Sequence, residues 1–374
     1  MESFFSDNAA VLFVVALFYA AVAGSELTTQ MRVALVYAFS YLALLFSVLD
    51  RCAVLVGSLL VLFLVLEVFS TDRDRVKMFS VPCKLIDFAF RMIVEYYAWL
   101  YLLLVCAIKA LDYSGLPAHF VQLAGVAAMM VLLLMLSRAK FAIKPISEMM
   151  AAMTKDCSAG DYGSRESNRR KYLILAQMED REFFDRGEMR HIPSFGQVSR
   201  GLINRMNFRR FRHPVASCKE LLKRGYGTIE MQLIRTVGIE FGSYSCRIRR
   251  KLFELVYAQM VLNSYARCFG KSSGARMHLR GWIAQSYINN VSVRFAPTEF
   301  YPDGKSTVER VFGRPMQDLS DEEFFVWCLG LPYYSNGVGL RAVRAHESVL
   351  DEFGLDIEKV SEAVDAANQP RRAR

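Results

Sequence analysis

The 374-residue chain predicts an all-α protein in two parts: a set of transmembrane helices over 1–137 and a mostly helical globular domain over 171–353. Three observations carry this reading. Long apolar runs crowd into the first 137 residues, and they lift the mean hydropathy to +0.20 at 53% hydrophobic residues, a value soluble domains rarely reach. Downstream, apolar residues recur at helical rather than alternating spacing, as in Lys251 to Ala266 and Asp321 to Leu331. A helix start is also written out in Leu319-Ser320-Asp321-Glu322-Glu323, where Ser320 is the N-cap and Glu323 the capping-box acid.

The apolar runs are Ala9 to Gly24, Val33 to Leu49, Cys52 to Phe69, Met92 to Leu111 and Ala118 to Leu136, which gives four to five spans. Asp50-Arg51 separates the second from the third, as in a tight helical hairpin. The fourth carries Glu95 and Lys109 near its ends, where such side chains snorkel, and has the shortest apolar centre. The first run lacks a basic flank and a small-x-small cleavage site, so it does not read as a cleaved signal peptide. A juxtamembrane linker follows over 138–170. It opens with Arg138, Lys140 and Lys144, continues as an amphipathic stretch, and ends in a polar loop from Ser158 to Arg170. Residues 354–374 read as a C-terminal tail, polar and basic from Asn368 on.

Charge is divided unevenly. Up to Ser137 there are 8 Lys and Arg against 10 Asp and Glu; the rest of the chain holds 38 against 27. A basic domain tethered to a bilayer favours anionic head groups, lipid phosphates or nucleic acid. The eight cysteines include no CxxC spacing and the five histidines are dispersed, so neither a zinc or histidine-metal site nor a disulfide framework is expected.

Four short motifs follow one another between Met178 and Asn289. They are Glu179-Asp180-Arg181-Glu182-Phe183-Phe184, then Gly225 to Leu233 with Gly227, Thr228 and Gln232, then Arg250-Lys251-Leu252-Phe253-Glu254, and finally Ile283 to Asn289. Each has a plain structural reading. Glu179-Asp180-Arg181 fits a solvated helix end. Arg250 and Glu254 fit an i,i+4 surface pair worth at most about 0.5 kcal/mol. The glycines fit a turn, and Tyr287 with Asn289 fits buried hydrogen bonding. Arg205 to His213 interleaves Arg and Phe, but no nucleic-acid motif accompanies it, so nucleic acid is not an expected partner.

Taken together and in this order, the motifs resemble those of glycosyltransferase family 51, the peptidoglycan glycosyltransferases found alone or as modules of class A penicillin-binding proteins. The likeness covers roughly 171–353. The first motif matches at Leu173 to Phe184 and a following helix-start Arg at Arg200. The second matches at Gly225 to Leu233 with Arg235 three residues on. Arg250, Lys251 and Glu254 match the third, Tyr287 and Asn289 the fourth, and Leu319 to Pro332 a later stretch. The chain departs from the family in carrying several spans instead of one anchor. Arg186 stands where the family has His, Gly227 where it has Ser, Glu230 at the next polar position, Met231 in place of one Gln, and Gln285 before Tyr287.

The resemblance implies a lysozyme-like fold and a membrane-bound enzyme of the bacterial inner membrane that joins lipid-diphosphate-linked disaccharide units into glycan strands. Glu179 would be the base that takes the acceptor hydroxyl's proton, and burial at the end of its apolar run would raise its pKa usefully. Glu254 would be the second carboxylate. Arg235, Arg250 and Lys251 would meet the charge of the departing diphosphate. Asp180, Arg200, Thr228 and Gln232 complete the implied substrate-binding set. Mg²⁺ or another divalent cation is the one cofactor the resemblance admits. The partners it implies are the lipid-linked disaccharide-peptide precursor, membrane lipids and other cell-envelope proteins.

Two other readings stand beside this one. A non-catalytic subunit of a secretion or conjugation apparatus would keep the fold and lose turnover, and a lysozyme-type hydrolase would cut strands. Topology divides the readings. With five spans, the basic loop holding Arg73, Arg75, Lys77, Lys84 and Arg91 lies on the same side as Arg138, Lys140 and Lys144, which puts the domain in the cytoplasm. Unpaired cysteines agree, whereas strand polymerisation requires the outer face.

Overall fold

A computed structural model describes residues 2–23, 25, 29–46, 59–63, 81–115, 117–138, 141–154, 166–186, 227–242, 247–269, 273–291, 307–331 and 339–368. The described residues are mostly helical, with two short strands. The chain divides into two units. The first is 1–147 with 239–249, and the second is 148–238 with 250–374.

In the first unit, α1 (Glu2–Ala23), α2 (Thr29–Phe46), α3 (Val81–Phe90), α4 (Ala98–Tyr113) and α5 (Ala118–Arg138) pack around a core of Val15, Val33, Val36, Tyr37, Phe63 and Leu132. Its surface differs from that of a water-soluble bundle, and its apolar core encloses hydroxyls. Hydroxyls are inside: Tyr19 bonds Ser40, Ser40 donates to the Val36 carbonyl at 2.6 Å, and Tyr37 stacks on Tyr101 at 4.6 Å. Large apolar side chains are outside, including Phe13, Leu17, Leu102, Phe120, Leu123 and Met130. Gly125 makes room for this interior, because a Cβ there would overlap the Tyr41 hydroxyl.

The fourth apolar run, read from the sequence as one helix, is broken. Residues Arg91–Glu95 form a π-helical turn, Tyr97 takes a positive φ of 53°, and α4 starts anew at Ala98. A side chain rarely adopts that backbone region, so local pattern does not announce the break. Tertiary contacts secure it. Buried Arg91 reaches Asp87 at 3.1 Å, Glu95 at 3.3 Å, and the carbonyls of Ile143 and Lys144 at 3.2 and 3.1 Å. Among the described residues no single helix is long and apolar enough to cross a membrane. Cys83–Glu95 and Ala98–Ile108, bent by 59°, meet that requirement as a pair. The third run is described only at 59–63.

Within the stretch read as linker, β1 (Phe141–Ile143) pairs antiparallel with β2 (Ile239–Gly242), Phe141 opposite Gly242, with an irregularity between Ala142 and Ile143. A helix, α6 (Ile146–Thr154), follows.

The second unit contains α7 (Glu166–Glu179), α8 (Ile229–Gly238), the main part of α9 (Arg247–Phe269), α10 (Ser273–Asn290), α11 (Thr307–Phe312), α12 (Asp321–Leu329), α13 (Leu340–Arg344), α14 (Glu347–Phe353) and α15 (Ile357–Asn368). Its centre is α12, whose residues Phe324 to Leu329 are all fully buried. The Ser320–Glu323 capping box read from the sequence is formed, with Ser320 accepting from the Glu323 amide at 3.2 Å and Glu323 accepting from the Ser320 amide at 2.9 Å. Residues 357–368, read as tail, instead make α15. Its Val360, Ala363 and Val364 lie on one stripe and are buried, with α15 packed on α12. Buried Lys171 joins α7 to the turn Met316–Asp318 through the Met316 carbonyl at 2.8 Å.

Candidate functional site

The four motifs converge within the second unit. The helix α7 ends at Glu179 because the chain then folds into a tight turn, in which the Phe183 amide bonds the Asp180 carbonyl at 2.8 Å and the Arg186 amide the Glu182 carbonyl at 2.7 Å. This turn sends Phe183 into the core and returns Arg186 onto the Asp180 carboxylate, with Arg186 Nη1 to Oδ1 at 3.0 Å. Glu179 is left facing α8.

Thr228 caps α8. Its carbonyl accepts from the Gln232 amide at 2.9 Å and its hydroxyl accepts from the Met231 amide at 3.4 Å. Gln232, one turn in, donates from Nε2 to Glu179 Oε2 at 3.0 Å and to the Gly227 carbonyl at 3.3 Å. On α10, the Tyr287 hydroxyl donates to Gln232 Oε1 at 3.0 Å. Glu179 Oε1 is buried without a hydrogen-bond partner. Burial is the main force on this carboxyl and pushes its pKa up to about 7, against the Gln232 hydrogen bond and the Arg235 charge, which pull it down.

Glu254 is the second focus. At 1% exposure of its side chain it is no surface partner of Arg250. Lys251 Nζ lies 2.7 Å from Oε2, Arg250 Nε 3.4 Å from Oε1, and Arg235 Nη1 3.8 Å from Oε1. The three cations keep 26–31% of their side-chain surface exposed, so one buried negative charge carries three partly wet positive ones. Arg235 joins the foci, being close enough to Glu179 for its charge to act there while pairing with Glu254. Gly227 also links them, since a Cβ there would stand 3.6 Å from both Gln232 Cγ and Lys251 Nζ.

A third cluster was not expected from the sequence. Glu230, in the first turn of α8, is 3.1 Å from Arg186 and bonded to Arg280 of α10, while Asp180 Oδ2 accepts from the Ile229 amide at 3.3 Å. All four charged groups are buried. Burial pushes Asp180 up to about 6 despite Arg186, and lowers Arg280 below the ordinary arginine value. Arg280 also lies over the Phe183 ring at 5.1 Å. Thus Arg186 and Glu230, the family departures noted above, are each other's partners. The available signal was the seven-residue spacing of Arg280 and Tyr287, which puts both on one face of α10.

Of the residues read as binding or catalytic, Glu179, Gln232, Arg235, Arg250, Lys251 and Glu254 are brought together. Asp180 and Thr228 are buried beside them, with their polar atoms engaged inside the protein. Arg200 lies outside the described residues, as do Gly225 and the Arg205 to His213 stretch. Asn289, half-buried, accepts from Gln285 Nε2 at 2.9 Å. Among the described residues no three His, Cys, Asp or Glu side chains are grouped as for a metal. Glu254, hemmed by three cations, is a donor set that repels a divalent ion rather than recruiting one. No family model, no curated protein and no solved structure matches the chain.

Proposed function

We propose that the second unit is a glycosyltransferase of the peptidoglycan-polymerase kind, with a lysozyme-like fold, working beside a lipid bilayer on a lipid-diphosphate-linked disaccharide. The observation that carries it is the pairing of two chemically opposite groups through Arg235. One is a buried carboxylate with a free oxygen and a proton affinity near neutrality, and the other is a partly exposed surplus of cations. Glu179 Oε1 takes the proton of the acceptor hydroxyl as that oxygen bonds the anomeric carbon. The bond from the anomeric carbon to the phosphate oxygen breaks, and the diphosphate leaves with the electron pair. Arg235, Arg250 and Lys251 neutralise it. Glu254 holds those three cations at the right spacing against their mutual repulsion. Asp180 and Thr228 support the site from inside, and no step needs a metal. The apolar exterior and hydroxyl-rich interior of the first unit support a multi-pass location in the bacterial inner membrane.

A second reading, a non-catalytic subunit of a membrane assembly, is favoured by one observation. The departures at Arg186 and Glu230 pair with each other inside the protein, so neither side chain is exposed to a donor. Incubation of the purified full chain with labelled lipid-linked precursor separates the two. Polymer from the native chain, with a loss of about 10²–10⁴-fold in Glu179→Gln, supports the transferase. No polymer from folded native protein selects the subunit.

A further inference from the structure

We propose that Tyr287 and Gln232 are positioning residues that form a hydrogen-bond relay holding Glu179 with Oε2 engaged and the buried Oε1 left as the oxygen that exchanges the proton. The inference rests on the transferase reading for its chemistry but on geometry alone for the relay. Each link has one possible direction. The Gly227 carbonyl can only accept, so the Gln232 amide must turn Nε2 toward it at 3.3 Å, and the same nitrogen donates its other hydrogen to Glu179 Oε2 at 3.0 Å. Gln232 Oε1 is thereby fixed on the opposite side, where the Tyr287 hydroxyl donates to it at 3.0 Å. Both amide hydrogens and an acceptor position of Gln232 are therefore spent, and the side chain has no alternative orientation that keeps its partners. Flipping it would set oxygen against the Gly227 carbonyl.

The consequence falls on Glu179. A donor fixed on Oε2 stabilises the carboxylate, while burial favours the protonated acid. The other groups facing it are Asp180 beside it, Arg235 from α8 and Cys328 from α12, whose thiol is pushed up by burial and by the Glu179 charge. Only Arg235 among these supports the carboxylate, and it is shared with Glu254. The relay is thus the support that belongs to Glu179 alone, and it ties together the first, second and fourth motifs. Tyr287 acts through Gln232 and never touches substrate.

The test reads the Glu179 proton directly, in the full chain reconstituted in lipid nanodiscs, from the infrared band of the protonated carboxyl that disappears in Glu179→Gln. Gln232→Met removes the donor, so the midpoint should move to higher pH by roughly one to two units. Tyr287→Phe removes the hydroxyl that donates to Gln232 Oε1, while the Gly227 carbonyl still orients the amide; it should move the midpoint the same way by a smaller amount. Gln285→Met lies on the same helix outside the relay and should leave the midpoint in place. Unchanged midpoints in both relay variants overturn the proposal. If Gln232→Met does not fold, Tyr287→Phe decides alone. Polymer synthesis is scored separately in the same preparations. A shifted midpoint without polymer from the native chain upholds the relay and removes the transferase reading, and polymer without a shift does the reverse.

Discussion

The two units both bury apolar side chains but differ in the polar groups they enclose and in the surface they expose. In the first, tyrosine and serine hydroxyls face inward, and apolar side chains from Phe13 to Leu134 face outward. In the second, Phe324, Phe325 and Trp327 form a dry centre, and only Leu173, Leu252, Met277 and Ile357 remain among the exposed large apolar side chains described. The apolar outer surface of the first unit fits the bilayer location proposed for it, since a surface in hydrocarbon gains nothing by being polar. The second unit spends polar burial differently, on charges. Asp180, Arg186, Glu230 and Arg280 form a closed set of two acids and two bases in which the loss of any member leaves a charge without a counterpart.

The largest expected break in this contrast comes from Glu230→Gln. It leaves Arg186 paired with Asp180 and removes the carboxylate that Arg280 is bonded to, so the buried cluster carries one uncompensated positive charge, and a loss of about 3–5 kcal/mol is expected, read as a fall in the denaturation midpoint of the second unit. A loss below about 1 kcal/mol would mean that water already reaches the cluster.

Acidity tests the same interior with a known sign. The folded pKa of Glu179 is raised from 4.5 to about 7, so its contribution to stability is fully present below pH 4.5 and is lost as pH rises toward 7. Native protein should therefore lose on the order of 3 kcal/mol relative to Glu179→Gln across that window. Asp180, raised from 3.8 to about 6, has the same sign and leaves a smaller slope in the variant between those values. Parallel stability curves for the two proteins would refute the burial of Glu179.

The outer surfaces differ by a smaller amount. Leu123 is 68% exposed in the first unit and Met277 48% exposed in the second. In bilayer-reconstituted protein, Leu123→Lys should cost roughly 2–3 kcal/mol if that surface meets lipid. Met277→Lys should stay within about 0.5 kcal/mol. Equal effects would erase the distinction between the units' surroundings.

What was legible in the sequence followed from periodicity and short-range chemistry. The helical spacing from Lys251 and the Ser320–Glu323 box reappear as α9 and the start of α12. Residues quoted from the motifs, Glu179, Gln232, Arg235 and Glu254, also lie in one region of the second unit. The remainder depends on partners distant in sequence. The break at Tyr97 needs Arg91 and the carbonyls of Ile143 and Lys144. The pairing of Arg186 with Glu230 spans forty-four positions, and each residue alone looked like a defect in a motif. The helix over 357–368 was hidden by the polar residues around Val360, Ala363 and Val364, whose stripe shows only once α12 is there to receive it.

The pairing of β1 with β2 has a consequence for biogenesis. Residues 141–143 leave the ribosome long before 239–242, and the intervening chain carries the first two motifs. The amino-terminal unit is therefore begun first and finished late. Until Gly242 emerges, β1 waits as an open edge able to bind any passing strand. A nascent chain halted before that point should be recognised as incomplete by chaperones, and one halted just after it should not. This long-range strand pair would then act as a checkpoint, closing the early unit only when the helix bearing Gln232 and Arg235 has already been made.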